Sequence, residues 1–132
     1  MAYWLIKSDP ETYSWDNLVK DKKTNWDGVR NYQARNNLNL MKKKDKLLFY
    51  NSQLDRSVVG IAEVTKEAFP DPTAKEGSWV AVEIKPIKKL KKPYTLKEIK
   101  ENKELENIAL IKQTRLSVML ITKEEFEIIT NS

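Results

Sequence analysis

A chain of 132 residues with 24 Lys and Arg against 19 Asp and Glu, a formal charge of +5, suits one domain with a modest core and is basic enough to take a polyanion. It has no Cys and no His, which excludes disulfides, thiolate nucleophiles, zinc on its usual ligands and Ser-His-Asp triads, and removes the commonest acid–base group at neutral pH. No apolar run approaches the ~18 residues of a membrane span, and Met1 to Pro10 lacks the basic start of a signal peptide, so the expected compartment is the cytoplasm, or the nucleus in a eukaryote.

Ala2 to Lys7 alternates and is rich in aromatic and β-branched residues, which predicts a strand ended by Ser8-Asp9-Pro10. Ser14 is a good N-cap for a short helix over Trp15 to Lys20, with Asp16 near its positive end. Asp21 to Asn25 is expected to be a loop leading to Trp26, and a helix should run from just after Gly28 to about Met41. Strands are predicted over Lys46 to Ser52 and over Ser57 to Thr65, the second continuing to Phe69, with Gly60 marking a bulge or sharp bend. Ser78 to Ile87 alternates as a third long strand, with Pro86 near its end and an exposed lysine stretch to Pro93 beyond it. Thr95…Glu98 and Thr122…Glu125 have capping-box spacing and should each open a helix. Between them, a short helix over Leu105 to Ile111 and a strand over Arg115 to Leu120 complete the chain. Short strands with helices inserted, and a glycine inside one strand, point to an α+β fold with a strongly bent sheet or small barrel in a single domain over 1–132.

The chemistry concentrates in W-D-G-V-R-N-Y-Q-A-R-N-N, Trp26 to Asn37. Its apolar positions are sparse, and the rest are amides and guanidiniums, which read hydrogen-bonding edges and phosphates. Asp27-Gly28 supplies a turn. On composition alone Trp26 is either a core plug or a pocket wall, and the amides either a solvated face or a reading surface. The clusters Lys42, Lys43, Lys44, Lys46 and Lys85, Lys88, Lys89, Lys91, Lys92 are either solvated loops or phosphate contacts. There is no P-loop, G-x-G-x-x-G, H-E-x-x-H or D-x-D, so no cofactor and no metal is expected.

The stretches Y-W-L-I-K-S-D-P, Y-S-W-D-N-L, W-D-G-V-R-N-Y-Q-A-R-N-N-L, L-L-F-Y-N-S, V-V-G-I-A-E-V, P-D-P-T-A, W-V-A-V and L-S-V resemble the EVE domain family over nearly the whole chain. That resemblance implies a PUA-like bent barrel or pseudobarrel with short helices around it, no catalysis, and an aromatic-lined pocket for a flipped, modified base in DNA or RNA. EVE domains are similar to YTH domains, which hold a methylated adenine in an aromatic cage. By the same resemblance Lys7, Ser8 and Trp26 line the pocket, and Tyr50 and Ser52 face them. Ser8, Asn31 and Asn36 or Asn37 are then expected to bond the base edge, while Arg30, Arg35, Lys42 and Lys43 hold flanking phosphates. Arg115 either joins that surface or pairs with a carboxylate. Trp4, Trp15 and Trp79 are assigned to the core, and of Phe49 and Tyr50, on opposite faces, one must be core. The chain departs from the family pattern at Asp9, where Glu is usual, at Asn51, where His is common, and in a short loop at Lys75 to Ser78. Two other functions compete. One is a carboxylate-metal nuclease using Asp9, Glu11, Asp16 and Asp27; the other is a protein-interaction module, for which the sequence shows no apolar patch.

Overall fold

The structure, a computed structural model, describes residues 1–131. Its elements run β1 (Tyr3–Ser8), α1 (Trp15–Asp21), β2 (Thr24–Trp26), α2 (Tyr32–Leu40), β3 (Lys46–Asn51), β4 (Ser57–Pro70), β5 (Val80–Thr95), α3 (Leu96–Glu101), a 3-10 turn (Lys103–Leu105), α4 (Ala109–Lys112), β6 (Val118–Ile121) and α5 (Lys123–Thr130). The strands form one mixed sheet in the order β2-β5-β4-β3-β1-β6. Only β1 and β3 are parallel, in register from Tyr3 opposite Lys46 to Ser8 opposite Asn51; the other neighbours are antiparallel. This is an α+β fold, the PUA-like pseudobarrel. No helix among the described residues is long and apolar enough to cross a membrane.

The centre of the sheet is covered on both faces, so its strands bury consecutive residues: Trp4, Leu5 and Ile6 in β1, and Leu47 to Tyr50 in β3. Phe49 and Tyr50 are therefore both buried despite pointing to opposite faces. The indole N–H of Trp4 donates to the buried carboxylate of Asp45 at 3.0 Å, which also accepts from the backbone N–H groups of Ala2 and Lys42. Gly60 sits where β4 slips register against both neighbours, and a Cβ there would lie 2.5 Å from the Trp15 ring. The glycine thus serves the bend and also makes room for an indole. The helix starts are local: Ser14 with Asn17, Thr95 with Glu98, and Thr122 with Glu125 each close a capping box.

Four expectations need correction. The lysine stretch is exposed as expected, but it does not lie beyond the strand: it is the second half of β5, which runs to Thr95 with Leu90 and Tyr94 buried and the lysines pointing out. The pleat needs only those two inward residues to hold the strand against β4, and Pro86 and Pro93 are accommodated along it. The helix after Gly28 begins only at Tyr32, because Asn31, itself in an extended conformation, is its N-cap. Leu105 to Ile111 divides into the 3-10 turn and the short α4. Trp79 is not core; it is half-buried just before β5.

Candidate nucleic-acid interface

Asn25 is not loop but the middle of β2, an edge strand on β5 whose last residue, Trp26, pairs with Val82. The strand fixes the Trp26 backbone, and two rings fix its indole. Phe49 meets it edge-on at 5.7 Å, and Tyr13 at 6.2 Å. Trp26 is left half-buried on the wall of an open cleft of about 510 Å³. Lys7, Ser8, Asp9, Thr12, Tyr13, Thr24, Asn25, Asp27, Gly28, Val29, Arg30 and Ser117 complete its lining.

The cleft rim is held by a carboxylate from far along the chain. Gly28 turns at φ +76° with open space about its Cα, so glycine is needed there for conformation. The N–H of Gly28 donates to Asp71 Oδ2 at 2.8 Å, and Arg30 Nη1 donates to the same oxygen at 3.0 Å. Asp71 Oδ1 accepts from the N–H and hydroxyl of Thr73 at 2.7 and 2.6 Å. The Asp71 side chain is 0% exposed. Burial alone pushes its carboxyl up, but the bonds from Thr73, Gly28 and Arg30 outweigh that and hold it well below the usual carboxylate range. Val29 is buried beside the turn, so Trp26 to Arg30 is pinned at both ends.

Inside the cleft the polar groups are already partly committed. The Ser8 hydroxyl donates to the carbonyl of Tyr13, which leaves it only lone pairs to offer a ligand. Lys7 Nζ donates to the carbonyl of Thr114 at 2.8 Å, and burial pulls its pKa below the usual lysine range. Burial and the nearby Asp71 charge push the Asp27 carboxyl up. Asp9 caps the following turn, accepting from Glu11 N–H at 2.9 Å.

Of the residues expected at the base, Lys7, Ser8 and Trp26 come together in this cleft, and Arg30 stands at its rim. Tyr50, Ser52 and Arg115 instead line a second cleft of about 550 Å³, which shares Lys7 with the first. Asn31, Asn36 and Asn37 are in neither. Asn31 accepts from Ala34 N–H as the cap of α2, Asn36 bonds Arg35, and Asn37 Nδ2 donates to the carbonyl of Val118 at 2.8 Å. Arg35 lies outside as well, over the rings of Tyr32 at 5.0 Å and Trp79 at 5.7 Å, with Nη1 on Ser78 Oγ at 2.7 Å. Lys42 and Lys43 sit on the turn before β3, against a separate depression with Met1, Ala2 and Leu40.

The EVE domain family model matches residues 2–132. The chain belongs to the EVE domain family. Thymocyte nuclear protein 1 of Mus musculus is 34% identical over 96% of this chain and 71% of its own length. Protein Atu2648 from Agrobacterium tumefaciens is 40% identical and superposes with a TM-score of 0.96 over 99% of this chain and 92% of its own. The human THYN1 protein, solved in complex with 5-methylcytosine containing DNA, is 31% identical with a TM-score of 0.91, over 99% and 96%.

In this EVE domain, residue-by-residue reading missed Asp71, Tyr13, Thr24 and Arg56. Asp71 lies in P-D-P-T-A, a motif with a visible signal but no stated task; its task is the clip on the cleft rim. Tyr13 opens Y-S-W-D-N-L, a motif that likewise came with no stated task for its tyrosine, and Thr24 carries no signal that separates it from an ordinary surface residue.

Proposed function

We propose that this EVE domain is a non-catalytic reader of a methylated or otherwise modified nucleobase, which it takes out of the stack and lays against Trp26. The observation that carries this is the indole of Trp26: clamped by Phe49 and Tyr13, yet partly bare on the wall of a cleft large enough for a base. The relative crystallised with 5-methylcytosine DNA supports the same class of ligand.

Flipping costs a few kcal/mol, and stacking on an aromatic returns about 1–3 kcal/mol. Burying one methyl adds about 0.8 kcal/mol, roughly fourfold in affinity. Finer discrimination must therefore come from the edge of the base. The acceptors offered are the Ser8 hydroxyl and the Asp27 carboxylate, which suit an exocyclic amine; the donor is the Lys7 ammonium, which suits a ring nitrogen or carbonyl. A cytosine edge presents that donor-and-acceptor set. The enzyme alternative has less support: only Asp9 and Asp27 of its four carboxylates line the cleft, and no group of three metal-ligating residues converges among the described residues.

The test is a binding screen over oligonucleotides bearing different base modifications, at fixed salt, with wild type and Trp26→Ala. The wild type should prefer one modified base, and Trp26→Ala should weaken that complex roughly 5- to 150-fold while leaving the melting profile cooperative. Equal binding of modified and plain strands by both proteins would sink the reader assignment.

A further inference from the structure

We propose that the second cleft is a phosphate site, and that it receives a backbone phosphate next to the base held against Trp26. Lys7, Arg56, Lys100 and Arg115 converge on it from four separate parts of the chain: the end of β1, the loop before β4, helix α3 and the segment before β6. No carboxylate of the described residues lines it. None of these four cations has an ion pair among the described residues, whereas Arg30, Lys46 and Lys85 are matched to Asp71 and Glu63. Four unmatched positive charges facing one concavity repel one another unless an anion sits between them. Ser52 and Gln53 add neutral polar groups, and the aliphatic chains of Leu96 and Leu110 strengthen the field by excluding water on one side.

The presentation of Arg56 is itself unusual. Its backbone is at φ +30°, a region that side-chain-bearing residues rarely adopt, and its carbonyl is locked there by the N–H of Leu96 at 2.9 Å. Two arginine forks and two ammoniums match the several oxygens of a phosphate better than the two of a carboxylate. The shared wall at Lys7 places the site beside the first cleft, which is where the neighbouring phosphate of a flipped nucleotide's own strand would come. Tyr50 and Ser52, which the resemblance assigned to the base, belong to this phosphate cleft. That the phosphate is the strand's own rests on the reader assignment; that the cleft holds phosphate does not.

Arg56 and Lys100 are exposed, so neutralising them leaves the core untouched. Arg56→Gln, Lys100→Gln and the double variant are compared with wild type on plain and modified oligonucleotides over a salt series. Each substitution should lower the slope of log affinity against log salt by roughly 0.7–0.9. The loss should be equal for plain and modified strands, so the preference ratio is unchanged. A strand with one uncharged methylphosphonate linkage beside the modified base should weaken wild-type binding, and should cost the double variant less, because only Lys7 and Arg115 remain there to meet that phosphate. If instead inorganic phosphate at constant ionic strength raises the melting temperature of wild type but not of the double variant, the site holds and its source is the free anion. Unchanged salt slopes in the double variant, with no effect of phosphate on wild type, overturn the site. Absence of any modified-base preference, with the slopes still falling, removes the reader and leaves the phosphate cleft standing.

Discussion

Trp26 owes its position to a relay of aromatic rings that begins at a glycine. Trp15 packs on Gly60 and meets Phe49 edge-on at 5.5 Å; Phe49 in turn supports Trp26 at 5.7 Å. A methyl at Gly60 would overlap the Trp15 ring, so Gly60→Ala should cost roughly 1–3 kcal/mol in urea denaturation. The same substitution should weaken modified-base binding without touching the cleft, because the displaced Trp15 moves Phe49. Normal stability in Gly60→Ala would mean that the ring has room to retreat. At this scale the sequence is ambiguous where one side chain suits two tasks. The amide of Asn31 reads equally well as a base contact or a helix cap, and its neighbour in space, Ala34 N–H, shows that it is the cap.

Helix α2 illustrates what a polar helix uses in place of a broad apolar face. It buries only Ala34 and Leu38. Its start is held by the stack of Tyr32 on Trp79, at 5.1 Å and 25°, with Arg30 and Arg35 over the same indole and Arg35 bonded to Ser78. Tyr32 remains 67% exposed. Trp79→Ala should cost about 1–2 kcal/mol, the worth of one ring pair and its cations, and should speed amide exchange in the first turn of α2. Unaltered exchange there would show that Asn37 and the buried Leu38 hold the helix alone. Capping boxes were legible because donor and acceptor lie three residues apart. The second half of β5 was not, because five lysines among ten residues read as solvent until β4 is placed beside them.

For the molecule as a whole, the sign of the pH dependence follows from four carboxylates. Asp71 and Glu63 have depressed folded-state pKa values, Asp71 through the bonds that outweigh its burial and Glu63 chiefly through Lys46. Their contribution is present above the unfolded carboxylate range near pH 4 and is lost as the pH falls through the folded values. Asp27 runs the other way: raised by burial and by Asp71, it favours the fold below the unfolded value and loses that contribution as the pH rises through the folded one. With Glu98, lowered by the Thr95 backbone N–H in its capping box, three depressed carboxylates stand against one raised and predict acid destabilisation below about pH 4. Asp71→Asn should therefore start less stable at neutral pH and show a flatter acid limb in melting temperature. A variant with the wild-type acid slope would remove Asp71 as its source.

The amino-acid sequence alone determined the class of fold, the helix starts marked by capping boxes and the family, because these rest on neighbours a few residues apart or on motifs long enough to be specific. It also bounded the chemistry, since a chain without His or Cys has few catalysts to offer. Tertiary structure decided what each polar residue does. Gly28 and Asp71 are 43 residues apart and meet only because β5 pairs with both the end of β2, at Trp26 opposite Val82, and the end of β4, at Pro70 opposite Val80. Lys7, Arg56, Lys100 and Arg115 carry no common pattern and become one positive cleft only when four segments converge. Whether an indole is sealed or bare depends on what covers it, and no local spacing encodes that.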